Sequence, residues 1–142
     1  FAEFVRGFET ARNAGLRICV HIINGLPGET PEMMEQTAEI LGGMRPDGVK
    51  IHLLHVINNT TLAGLWESGK YQPMERDDYI GTVVRQLELL PPETVIERLT
   101  GDGDREELLA PLWSLDKRAV LGGIMKRQKQ LDSIQGLRFQ EG

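Results

Sequence analysis

The run Val20-His21-Ile22-Ile23-Asn24-Gly25-Leu26-Pro27-Gly28-Glu29-Thr30-Pro31-Glu32 constrains the fold more than any other stretch, because a buried strand, a tight turn and a helix start follow one another without a gap. From Ile18 to Ile23 the chain is β-branched and apolar apart from Cys19 and His21, the pattern of a parallel strand covered on both faces. Gly25 and Gly28 permit positive φ or a close backbone approach, and Pro27 stiffens the turn between them. Thr30 suits an N-cap, Pro31 the first helical position and Glu32 the first turn. A turn of bare backbone therefore stands at the carboxyl end of a strand, where α/β proteins bind ligands.

The remaining periodicities build around this unit. Phe1, Phe4, Val5 and Phe8 predict an amphipathic helix over 1–14, ended by Gly15. Met33, Thr37, Ile40, Leu41 and Met44 share a face of a second helix, and Arg45 to Gly48 turn into a second strand over Val49 to Val56. Beyond a polar loop at 58–61, Leu62, Leu65 and Trp66 predict a short helix closed by Gly69. A longer helix through Tyr79, Val83, Leu87 and Leu90 is halted by Pro91-Pro92. Thr94 to Leu99 read as a third strand and Gly101 to Asp104 as a turn. Two final helical segments are expected, the last capped by Ser114 and ending near Leu131, with poor order after Gly136. Alternating helix and strand predicts an α/β fold with a parallel sheet.

Strand alternation sends Cys19, His21 and Ile23 to one face and Ile18, Val20 and Ile22 to the other. In the second strand it separates Lys50, His52, Leu54 and Val56 from Ile51, Leu53, His55 and Ile57. The aliphatic set should face the helices, which leaves His21, Lys50 and His52 together on the other side. Each histidine also fits a core position bonded to backbone, and Lys50 could carry its ammonium to water. A zinc site from His21, His52 and His55 matches no established ligand spacing, and alternation turns His55 away.

Gly25-Leu26-Pro27-Gly28-Glu29-Thr30 after an apolar strand resembles the fifth strand and following loop of radical S-adenosylmethionine (SAM) enzymes, in the branch of oxygen-independent coproporphyrinogen oxidase and the Elongator catalytic subunit. Val49 to Val56 is similar to the sixth barrel strand of the bacterial YhcC/YtqA-type family. Leu89-Leu90-Pro91-Pro92, with Arg98 to Asp102, resembles a later segment of that family, so the likeness runs from about Ala14 to about Lys117. It implies the C-terminal portion of a radical SAM (β/α) partial barrel over 1–100, with a helical extension over 101–142 packed on it. In such an open barrel His21, Lys50 and His52 would line a polar cavity as candidate catalytic residues. The resemblance also implies S-adenosylmethionine beside Ile23 and Gly25, with Val56 and Ile57 at the adenine edge. Asn24 is a candidate ribose contact, or else a turn residue bonding its own backbone.

The family's 4Fe-4S cluster needs three closely spaced cysteines, whereas this chain has only Cys19, within a strand. The expectation is therefore a C-terminal part of a longer enzyme, inactive by itself, whose cluster and external electron donor act from the missing part. The implied reaction is reductive cleavage of the cofactor to a 5'-deoxyadenosyl radical. A tRNA base is the first substrate candidate, through the Elongator likeness. Net charge is −5, yet residues 114–142 carry six Lys or Arg against three acids, including Lys117, Arg118, Lys126, Arg127 and Lys129. That stretch reads as a solvated helix face or a weak polyanion surface. No apolar run approaches the ~18 residues of a membrane span, and a cytoplasmic setting is expected. The other readings are a non-catalytic substrate or partner docking module and an ordinary (β/α) barrel enzyme holding a phosphate at the glycine turn.

Overall fold

The computed structural model describes residues 1–101 and 103–140, so Asp102, part of the expected turn, lies outside the described residues. The elements run α1 (Ala2–Asn13), β1 (Cys19–Asn24), α2 (Pro31–Met44), β2 (Gly48–Leu53), β3 (Val56–Ile57), α3 (Thr61–Glu67), α4 (Arg76–Leu89), β4 (Val95–Arg98), β5 (Leu108–Ala110) and α5 (Lys117–Gln130). Strands β1, β2 and β4 form a parallel sheet in that order, with α2 crossing between the first pair. Thr30 caps α2 as expected, its hydroxyl accepting from the Met33 amide at 3.3 Å, with Pro31 in the first turn. Val20, Ile22, Val49, Ile51 and Leu53 from the sheet pack against Leu41, Val83, Val84 and Leu87 from α2 and α4. Val120 and Ile124 of α5 join the same core.

Four expectations are corrected. The second strand does not run to Val56: the chain leaves the sheet at Leu54 and His55. Val56 and Ile57 then pair antiparallel with Ala110 and Leu108 of β5. The segment after 101 is thus not wholly helical, and a second small core of Val56, Ala63, Tyr71 and Ala110 forms under it. The N-cap of α5 is Asp116, whose carboxylate accepts from the Ala119 amide at 3.0 Å, while Ser114 is buried and donates to the Pro111 carbonyl at 2.8 Å. Finally, residues 136–139 are held, while residues 141–142 of the expected poorly ordered tail lie outside the described residues. Gly136 and Arg138 donate their amides to the carbonyls of Leu87 and Glu88 at 3.0 and 2.8 Å, satisfying orphan acceptors in the last turn of α4.

Candidate functional site

Each central strand divides its side chains between two environments. Val20, Ile22 and Asn24 of β1, with Val49, Ile51 and Leu53 of β2, are buried toward the helices. On the opposite face His21 and Ile23 are exposed and Lys50 and His52 half-buried, with no helix over them. His21 pairs in register with Lys50 and Ile23 with His52. The two imidazoles stack diagonally with ring centres 5.5 Å apart and 16° between planes. The structure therefore brings the expected His21, Lys50 and His52 together. The Nε2 of His52 is buried and bonded to nothing among the described residues. Burial pushes the His52 pKa down, and the charges of His21, Arg98, Lys50 and His55 push it the same way.

The sheet adds a residue that alternation alone does not single out. Between Ile96, opposite Val49, and Arg98, opposite Lys50, β4 carries one extra residue, Glu97. This bulge aims the Glu97 carboxylate at the open face, 3.3 Å from Lys50 Nζ and beside the Cys19 thiol. A bond from that thiol, followed by the Lys50 ammonium, holds the Glu97 carboxyl below its usual range. Cys19 shifts upward, chiefly through burial and then through Glu97. A charged residue inside a β-branched strand is the signal available in sequence. The bulge is not legible there, because it depends on pairing with β2.

His55 lies apart, in the break between β2 and β3, with its ring against Gly101 and Gly103. Its Nε2 is also buried, with no partner among the described residues, and burial lowers its pKa. The zinc triad is not assembled: among the described residues no three His, Cys, Asp or Glu side chains could share a metal ion.

Four of the expected cofactor contacts have other partners. Asn24 turns inward and exchanges two amide hydrogen bonds with Gln86, both at 2.8 Å, so it is neither open to a ribose nor bonded to its own turn. Gln86 also donates to the Met34 carbonyl at 3.0 Å. At Gly25 the amide donates to Glu29 Oε2 at 2.8 Å and the carbonyl accepts from the Tyr71 hydroxyl at 2.7 Å. With φ at +86° the backbone favours glycine there, and a Cβ would also stand 3.0 Å from Met74 Cγ. The Leu26 amide also donates to Glu29, at 3.0 Å. The Glu29 carboxylate thus already takes both of these turn amides. The Val56 side chain is wholly buried in the second core, away from the open face, and the half-buried Ile57 gives its carbonyl to the Thr60 hydroxyl at 2.7 Å. Ile23 remains on the open face.

A parallel α/β sheet with helices on one side and an open face on the other is the architecture expected of the C-terminal portion of a radical SAM partial barrel. The chain belongs to this family: the Radical_SAM C-terminal domain matches residues 46–130, more than half of its length. It is similar to the uncharacterized protein YtqA of Bacillus subtilis, 43% identical over 140 residues, 99% of this chain and 44% of that protein. Protein YhcC of Escherichia coli is 38% identical over 113 residues, 80% of this chain and 37% of that one. Elongator complex protein 3 of Homo sapiens is 35% identical over 98 residues, 67% of this chain and 18% of that one. The fold is shared with archaeal Methanocaldococcus infernus Elp3 carrying an N-terminal deletion, at a TM-score of 0.76 and 20% identity, over 87% of this chain and 29% of the other. The chain spans less than half the length of these relatives.

Proposed function

We propose that the full-length protein is a radical SAM enzyme and that this chain forms the part of its barrel wall facing S-adenosylmethionine and substrate. The observation that carries this reading is the open sheet face in a chain of this family, above all the buried, unpartnered Nε2 of His52. Such an atom fits a polar group of a bound molecule, since a buried imidazole nitrogen left alone costs about 1–3 kcal/mol. Ile23 would give apolar contact beside the nucleoside. When bound and reductively cleaved, the cofactor supplies a hydrogen-abstracting radical.

The chain's own residues bind, orient and exclude water. His52, held neutral, would accept or return a proton at Nε2, Lys50 would donate to an electronegative substrate atom, and His21 would complete the polar wall. A 4Fe-4S cluster does not fit the residues present, because it needs three thiolates and this chain has a single cysteine. Its ligands and the docking of an external electron donor are assigned to protein outside this chain. The likeness to Elongator complex protein 3 and the exposed basic side chains of α5 support a tRNA base as substrate.

The test is anaerobic reconstitution of the full-length protein with iron and sulfide, followed by reduction and chromatographic assay of 5'-deoxyadenosine. Formation of that product is expected, with His21→Ala and Lys50→Ala sparing uncoupled cofactor cleavage while abolishing modification of added tRNA. A protein that consumes no S-adenosylmethionine would be a docking module instead. This chain alone should take up no stoichiometric iron.

A further inference from the structure

We propose that Glu97 is a positioning residue of the open face: its carboxylate joins Lys50 and Cys19 into one network that orients the Lys50 ammonium over the sheet. This rests on the reading of that face as the substrate wall. Three observations carry it. The residue is the extra one in β4, placed by a register shift between Val49 and Lys50 of β2, and bulges commonly re-aim a side chain beside a functional site. One oxygen lies 3.3 Å from Lys50 Nζ, while the Cys19 thiol of β1 stands beside the same carboxylate, both groups lying against Gly48. Gly48 completes the arrangement, since a Cβ there would stand 2.8 Å from Glu97 Oε1 and push the carboxylate away.

The result is a cation fixed from three strands rather than a mobile surface lysine. An unanchored lysine loses rotamer freedom on meeting a substrate, whereas an anchored one has already lost it. An ammonium shared with a carboxylate is also suited to a neutral polar acceptor, such as a carbonyl or ring nitrogen, more than to an anion that Glu97 would repel.

The experiment uses the full-length protein with Glu97→Gln, which keeps size and removes charge at an exposed position, and Glu97→Asp, which keeps charge. Cys19 alkylation by iodoacetamide and Lys50 acetylation by acetic anhydride are followed by mass spectrometry across pH 7 to 9. In Glu97→Gln the thiol loses the neighbouring carboxylate and should react at least about threefold faster near pH 8. Lys50, released from its partner, should also acetylate faster. Glu97→Asp should restore both rates at least in part, and Gly48→Ala should mimic Glu97→Gln. Rates unchanged in Glu97→Gln would overturn the inference whatever the protein catalyses. Altered rates in a protein that does not consume S-adenosylmethionine would keep the network and remove only the functional reading.

Discussion

The two faces of the central sheet are built from alternate residues of the same strands and obey opposite rules. On the helix side the alternate residues of β1 and β2 are buried, and their one polar side chain, Asn24, has a dedicated partner in Gln86. On the open side polar groups are grouped but incompletely satisfied: the His21 and His52 rings stack, Lys50 meets Glu97, and His52 Nε2 bonds to nothing among the described residues. Burial penalises an unpaired polar atom, so a sheet that tolerates one on a single face reserves that face for something other than stability.

Substitutions should separate the faces by their cost. Ile51, wholly buried at the centre of the helix side, should lose about 3 kcal/mol on change to Ala, whereas its neighbour His21→Ala should stay within about 0.5 kcal/mol. Urea midpoints of the two variants measure this, and comparable losses would mean the open face is core after all. Gln86→Leu strands the buried Asn24 amide and should cost about 2 kcal/mol, while adding Asn24→Leu should recover part of it because no lone polar group remains. Strict additivity in that double-mutant cycle would remove the pairing from the account. At the junction of the faces, Gly25→Ala should cost about 1–2 kcal/mol from its left-handed backbone. Met74→Ala should relieve only the contact part of that cost.

The smallest effect is the pH dependence. His52 and His55 titrate lower in the folded protein than the ordinary 6.5, chiefly through burial. The unfolded chain then binds more protons between the two values, so their contribution is complete above about pH 6.5 and declines as pH falls below it. The urea midpoint should drop between pH 7.5 and 5, and the drop should shrink in His55→Gln. A drop of the same size in that variant would assign the dependence elsewhere.

Much of this division is legible in the residues themselves. The period of two along Cys19 to Ile23 and Val49 to Leu53 is a local property of an extended chain, so it places His21, Lys50 and His52 on one side before any partner is known. The cap at Thr30 and the left-handed turn at Gly25 are equally local, because each is decided within a few residues. The end of β2 was not legible, for Val49 to Val56 is one apolar run broken only by Lys50, His52 and His55, with nothing in it to mark Leu54. Only β5, about fifty residues downstream in the sequence, draws Val56 into a separate ribbon.

The same reason hides the tertiary partners of the cofactor candidates. Asn24 looked like a turn residue because it precedes Gly25, but its partner Gln86 lies 62 positions away. The direction of Glu97 is not legible in sequence, because it depends on a register shift against β2. Local spacing determined which residues share a face, since it requires only the geometry of the chain. Tertiary structure decided which of them are paired, buried or left free, because hydrogen-bond partners and register are chosen by packing between distant segments.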